Sequence, residues 1–276
     1  MKIVIIGGTG LVGSKVVSRL RQHGHEAIPA SPDTGVNTIT REGLADVLVG
    51  ADVVVDVSNS PSFADKDVLD FFTTSTTNLL DAESAAGVRR HVALSVVGTN
   101  RLSQSGYFRG KIAQEELIRA SSIPYSIVHA TQFFEFIKSI ANAATTGNTV
   151  RVAPVLIQPI AADDVAGAVG RAAAGKPTNA TTEVAGPEQF RLDELIAQRL
   201  REVGDPRNVL ADPSALYFGA ELALRTLLPG DDAVIWPTSL MEWLSKSTMP
   251  QAPVQADHVS QDGAASGQSS SSAAVA

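Results

Sequence analysis

Gly7-Gly8-Thr9-Gly10-Leu11-Val12-Gly13 is the stretch on which the fold turns. It follows a short apolar run, Ile3–Ile6, and leads straight into Leu11–His23, which reads as a helix that Gly24 ends. Glycines 7, 10 and 13 each have a physical use. The first makes the tight turn, the second lets a phosphate approach the backbone, and the third lets helix and strand pack closely. The start of the helix then presents unpaired N–H groups and partial positive charge to a pyrophosphate. A glycine triplet alone is weak evidence; between a strand and a helix of a βαβ unit it is specific. Gly7, Thr9, Gly10, Leu11, Val12 and Gly13 are therefore taken as the phosphate-binding loop.

Working outward, apolar runs alternate with helical patterns. Glu26–Ala30 is a weak second strand, and Val53-Val54-Val55-Asp56-Val57 is another. Leu69–Ala86 reads as a helix closed by Gly87. Val92–Val96 reads as a strand, Tyr107–Ala120 as a helix and Tyr125–His129 as a strand. Several of the strand runs are apolar without alternation, as expected when helices cover both faces of a parallel sheet. The expectation is a doubly wound, Rossmann-type α/β sheet.

Beyond Thr131 the pattern loosens. Asp163-Asp164-Val165-Ala166 opens an alanine-rich helix with acids in its first turn, where the helix dipole favours them. Thr181–Val184 reads as a strand. Leu192–Val203 and Pro213–Leu228 read as helices, and Ser239–Ser245 ends the ordered part. These segments predict a smaller C-terminal substrate lobe built mainly from about 131–160 and 181–249, within one domain over 1–249. Residues 250–276 are Ala, Ser, Gln, Gly and Asp in the main and read as a disordered tail.

Composition removes several function classes. The 22 Lys+Arg against 29 Asp+Glu, net charge -7, argue against a nucleic-acid partner, which needs basic stripes. There are no cysteines, so disulfides, thiolate metal sites and thiol nucleophiles are excluded. The histidines (23, 25, 91, 129 and 258) show no metal-ligand spacing, and no metal is expected. No run approaches the ~20 apolar residues of a membrane span. The expectation is a soluble, cytoplasmic protein that acts on a small molecule.

The loop spacing is G-x-x-G-x-x-G. With Thr9, and with further motifs in order, it resembles the short-chain dehydrogenase/reductase superfamily, particularly its atypical, NmrA-like NAD(P)-binding branch. Those motifs are Asp56-Val57-Ser58-Asn59-Ser60-Pro61, Leu94-Ser95-Val96-Val97-Gly98, the Y-x-x-x-K of Tyr107-Phe108-Arg109-Gly110-Lys111, Ile123–Val128 and Ala162-Asp163-Asp164-Val165-Ala166. The resemblance runs from residue 1 to about 245. It implies that Val57, Ser58 and Asn59 line the cofactor. It also implies that Lys111 holds the nicotinamide ribose, and that His129-Ala130-Thr131-Gln132-Phe133-Phe134 passes the nicotinamide and begins the substrate pocket.

An NAD-preferring fold places an acid on the adenine ribose about 20 residues past the loop. Here that place is Ala30-Ser31-Pro32, and the nearest acid, Asp33, lies beyond the proline. Ser31 can donate to a 2′-phosphate and Lys15 can supply charge, so NADP(H) is expected ahead of NAD(H). Lys15 as an ordinary solvated helix lysine is the bland alternative.

Tyr107 and Lys111 are four apart on a predicted helix and share a face. A nearby ammonium favours the phenolate and brings tyrosine, with a pKa of about 10, into use as an acid or base. Ser95 stands at a strand end, able to polarise a carbonyl. The set resembles the Ser–Tyr–Lys group of short-chain dehydrogenases. Tyr107 as a packing aromatic, His129 as a structural histidine, and Phe133 and Phe134 as plain core remain open alternatives. The implied function is NAD(P)H-dependent reduction of a carbonyl or activated double bond in a small apolar or aromatic substrate. A non-catalytic NAD(P) sensor is the rival, and non-redox chemistry such as isomerisation a weaker third.

Overall fold

The apolar runs of the first half need cover on both faces, and a parallel sheet between helices supplies it. The computed structural model describes residues 1–247. Its main sheet contains β1 (Lys2–Ile6), β2 (Glu26–Ala30), β3 (Val53–Asp56), β4 (Arg90–Val96), β5 (Tyr125–Ala130), β9 (Thr181–Ala185) and β12 (Val234–Ile235). The order is β12-β9-β5-β4-β3-β1-β2 and every neighbouring pair is parallel. The chain runs outward from β1 to β2, then returns to the other side of β1 as β3. That reversal opens a crevice beyond the strand ends, where doubly wound sheets bind ligands.

Ile3 and Ile5 of β1 face α1 (Leu11–Gln22) and α6 (Ala162–Ala174), with Val16, Leu20, Val165 and Val169 across from them. Val4 and Ile6 face the opposite side, toward α2 (Leu44–Leu48) and α3 (Asp65–Ala86). α4 (Gly106–Ala120) lies beside α3 on that second face, over Ala93 and Ile127. Gly110 permits the close approach: a Cβ there would lie 2.8 Å from Val68 Cγ1 and 2.9 Å from Phe72 Cδ2. Pro29 is tolerated because β2 is the edge strand. α3 begins at Asp65, earlier than the apolar pattern suggests, because Asp65 and Asp67 complement the dipole of its first turn.

A second core holds the lobe. α5 (Ile137–Ala143), α7 (Leu192–Glu202) and α8 (Leu240–Ser247) pack with two small sheets. These are β6 (Thr145–Thr146), β7 (Thr149–Val152) and β11 (Asn208–Ala211), and the pair β8 (Leu156–Ile157) and β10 (Phe190–Arg191). Two expectations need correction. Thr181–Ala185 belongs to the main sheet, not the lobe, since it pairs with β5. No helix forms over 213–228. There Tyr217 and Ala220 exchange backbone hydrogen bonds of 2.8 and 3.0 Å around Phe218 (φ 48°) and Gly219 (φ 89°). Both central residues are left-handed, the signature of a tight type I′ turn, which a helix cannot contain. The tail expected over 250–276 lies outside the described residues. Among the described residues no helix is long and apolar enough to cross a membrane.

Candidate functional site

The crevice begins at the glycine loop. Gly7 is left-handed (φ 76°), and a Cβ there would sit 2.9 Å from the backbone of Ser58. The turn therefore backs directly onto the loop after β3 that holds Val57, Ser58 and Asn59. A Cβ on Gly13 would lie 2.1 Å from Gly7 O, so the third glycine is needed for helix and turn to pack at all. Gly10 differs. Its Cβ would meet only Gly7 O, at 3.3 Å, and otherwise open space. Gly10 caps α1 without a side-chain hydrogen bond, and no acid occupies the first turn. The first N–H groups of α1 thus face an open cradle of the kind that takes a pyrophosphate.

The two glycines should separate in mutation. Gly10→Val should keep a folded protein and lose NADPH affinity, because its side chain fills the cradle. Gly13→Val should lose many degrees of melting temperature, because its Cβ meets backbone. Calorimetry and thermal melts on both variants check this; full NADPH affinity in Gly10→Val refutes the cradle.

Around the adenosine end, Thr9 donates from Oγ1 to Ser31 Oγ at 3.0 Å, and Thr34 closes a capping box with Ser31. Lys15 does not join them. Its ammonium pairs with Asp163 at the start of α6, at 2.9 Å. Leu11 stands exposed at the first position of α1, while Val12 is buried in the core.

On the other side of the switch point, α4 carries Tyr107 and Lys111 against the end of β4. Lys111 is 2% exposed. Its ammonium donates to Leu94 O at 2.8 Å and to Gln114 Oε1, and lies 4.5 Å from the centre of the Phe72 ring. Gln114 Nε2 in turn donates to Asp56 Oδ2 at 2.8 Å, and Asp56 Oδ1 accepts from Ser58 N and Oγ. A buried chain of hydrogen bonds therefore joins Lys111 to the cofactor loop. Burial lowers the Lys111 pKa to about 8, against the pull of Asp56 and Glu115. Tyr107 packs its ring on Phe63, Phe72 and Phe108. Burial pushes its pKa up to about 12.

Ser95 is placed differently from expectation. Its Oγ donates to Glu115 Oε1 at 2.5 Å, so the proton meant for a substrate carbonyl is held inside the protein. His129 binds the same carboxylate oxygen at 2.8 Å, and Arg119 the other at 2.7 Å. Burial works against this carboxylate, but bonds from His129, Ser95 and Arg119 hold its pKa down at about 2. His129 is thus part of a buried polar knot, not of an open pocket. Phe134 is likewise removed from the site: it lies in the lobe core, stacked on Trp243 at 5.4 Å. Phe133 packs on the main core. Gln132 remains at the end of β5, buried. Gln114 and Glu115 went unread in the sequence, and Asp56 was read only as the start of a cofactor-lining motif. Their signals were an acid ending an apolar strand, and two polar residues one turn past Lys111 on the buried face of a helix.

A strand, a glycine turn and an open helix start at the switch point define a dinucleotide-binding α/β protein. The chain belongs to the NAD(P)H-binding family, whose model matches residues 7–174. A curated relative, the photosystem II assembly factor Ycf39 of Cyanophora paradoxa, is 25% identical over 149 residues. That match spans 49% of this chain and 46% of the relative, so the chain aligns with less than half of that protein. Among solved structures, a short-chain dehydrogenase/reductase superfamily protein from Agrobacterium tumefaciens with bound NAD superposes with a TM-score of 0.65 at 19% identity, over 90% of this chain and 96% of that one. An NADPH-dependent quinone oxidoreductase from Escherichia coli superposes with a TM-score of 0.58 at 19% identity, over 76% and 78%. At such identities the likeness is one of fold. Among the described residues no group of three or more His, Asp or Glu is placed to hold a metal.

Proposed function

We propose that the protein is an NAD(P)H-dependent oxidoreductase that reduces a carbonyl or an activated double bond of a small apolar or aromatic substrate. The observation that carries this reading is the Lys111–Gln114–Asp56 chain, which fixes a buried ammonium one helical turn from Tyr107 and ties it through Asp56 to Ser58 of the loop after β3. The dinucleotide, when bound, supplies the hydride. Tyr107 is the proton donor. Its raised pKa keeps it protonated at neutral pH, and a phenol gives its proton readily to an alkoxide, a far stronger base than phenolate. Lys111 favours the phenolate left behind. Ser95 holds Glu115 and His129 in place instead of touching substrate. NADP(H) is the proposed partner of the Thr9–Ser31–Thr34 hydroxyls, with no acid at the end of β2 to repel a phosphate.

The test is oxidation of NADPH and NADH followed by absorbance, with quinones, ketones, aldehydes and enones. Turnover, faster with NADPH, supports the reading; none with any carbonyl ends it. The pH profile adds a check. If Lys111 must be charged, kcat falls as pH rises through about 8. Asp56→Asn removes a group that raises the Lys111 pKa, so the basic limb should move to lower pH. A limb that stays in place refutes the coupling.

A second reading is a non-catalytic dinucleotide sensor. What favours it is that Lys111 points both hydrogen bonds inward and Ser95 has no free proton. The likeness to an assembly factor points the same way. It predicts NADPH binding without turnover.

A further inference from the structure

Thr131 and Gln132 follow the end of β5 with Thr131 Oγ1 and Gln132 Oε1 buried and unpaired, while the Gln132 amide N–H turns to the Tyr217 hydroxyl. Thr131 is 1% exposed and Gln132 7%. Unpaired polar atoms so deep are costly, and a structure that keeps them calls for a reason such as a ligand that completes them. The amide faces the hydroxyl of Tyr217, on the turn of the lobe. Burial raises the Tyr217 pKa and the nearby Tyr107 adds to the rise, while the Gln132 amide opposes it. Two phenols and an amide therefore converge from α4, the lobe and β5.

Aromatic rings close a circuit around them. Tyr107 lies 5.4 Å from Phe108, Phe108 6.5 Å from Tyr217, and Tyr217 4.8 Å from Phe218. Phe218 lies 6.3 Å from Phe63, and Phe63 5.8 Å from Tyr107. Phe63 is 62% exposed and Phe218 39%, so the circuit opens to solvent on their side. Phe218 makes its contact with Phe63 from a left-handed backbone position in the 217–220 turn.

We infer that Gln132 and Tyr217 form the recognition site for a planar quinonoid carbonyl compound, whose ring stacks among the aromatics and whose oxygen meets the amide. This rests on the proposed reductase reading. A primary amide suits both states of such a compound. Its N–H donates to the carbonyl oxygen of the quinone, and its oxygen accepts from the hydroxyl of the hydroquinone. The quinone gains the two electrons and hydrogen of a hydride from NAD(P)H, plus one proton from solvent water, since a hydroquinone anion is a weaker base than the Tyr107 phenolate. It leaves as hydroquinone and the dinucleotide leaves oxidised. A saturated ketone satisfies the amide but not the rings.

The experiment uses the full chain loaded with NADP+, in wild type, Gln132→Leu and Tyr217→Phe. 1,4-Naphthoquinone and cyclohexanone are titrated by calorimetry, and each protein is melted without them. Gln132→Leu should weaken naphthoquinone binding about tenfold or more, the worth of one good buried hydrogen bond. It should also raise the melting temperature by a few degrees, because carbon replaces unpaired polar atoms. Tyr217→Phe should weaken naphthoquinone binding less. An unchanged naphthoquinone affinity, or a lower melting temperature in Gln132→Leu, overturns the inference, since the amide is then serving the fold. NADPH oxidation in the same samples separates the two proposals. Naphthoquinone held through Gln132 without turnover upholds the recognition site and defeats the reductase. Cyclohexanone turned over as fast as naphthoquinone upholds the reductase and overturns the recognition site.

Discussion

Tyr107→Phe is expected to lower kcat by about 10²–10⁴-fold, the usual worth of a positioned general acid, with little change in NADPH affinity. The substitution removes one hydroxyl and keeps the ring, so the contacts with Phe63, Phe72 and Phe108 persist and the fold is undisturbed. KM should hold as well, because the lost interaction belongs to the transition state. Lys111→Ala should go further. It removes the buried ammonium one helical turn from Tyr107 and leaves Leu94 O and Gln114 Oε1 without their donor. Turnover should vanish and NADPH binding weaken together. Steady-state kinetics and calorimetry on the two variants decide the matter. A Tyr107→Phe protein with full rate means that the proton comes from elsewhere, and the assignment of Tyr107 falls. A wild type without turnover, and a variant that binds NADPH identically, is the sensor's pattern.

The strand–turn–helix over Lys2–Gln22 was legible because its constraints are local. Strand, glycine spacing and helix start all lie within one unit, and sterics at Gly13 depend on Gly7 and Gly8, a few residues away. The doubly wound parallel sheet was legible from runs such as Ile3–Ile6 and Val53–Val55, which are apolar without alternation. The site was less legible because its pairings are distant. Lys15 meets Asp163 from 148 residues away, and Ser95 meets Glu115 from 20 away. Nothing in a helix pattern says which strand-end hydroxyl a buried glutamate will capture. The helix expected over 213–228 failed for a different reason. Tyr217, Ala220 and Leu227 fall on one face at helical spacing, but each enters the lobe core from irregular chain. Gly219, in its left-handed turn, was the local signal against a helix. Missing that turn also hid Tyr217, which packs on Phe108 of α4 only because the lobe folds back over that helix.

Where α3 packs against β4, a second large effect is expected. Glu83 of α3 and His91 of β4 are both wholly buried, with His91 Nδ1 2.8 Å from Glu83 Oε1. Glu83 Oε2 and His91 Nε2 have no partner, nor do the hydroxyls of Ser75 and Thr76. Burial pushes the Glu83 carboxyl pKa up, against the pull of His91. Burial works against the His91 imidazolium, but the charge and hydrogen bond of Glu83 raise its pKa overall, with Asp56 adding to the rise. The folded pair thus keeps a proton that the unfolded chain releases. Its contribution to stability is complete below the ordinary histidine value of about 6.5 and is lost as pH rises through the folded value. Wild-type stability should therefore fall from pH 6.5 upward relative to a variant without the pair. The comparison cancels the opposite slope from Lys111, whose lowered pKa favours the fold as pH rises from about 8. His91→Phe alone should cost about 3–5 kcal/mol, since it leaves a buried carboxyl unpaired, and lower the melting temperature by roughly 6–20 °C. Adding Glu83→Leu should restore most of that, because an apolar pair of similar volume often equals or exceeds a buried ion pair. Urea melts at pH 6, 7 and 8 on wild type, single and double variants test all three statements. A single variant as stable as wild type, or a double variant that keeps the wild-type pH slope, shows that the shared proton is not held by Glu83 and His91.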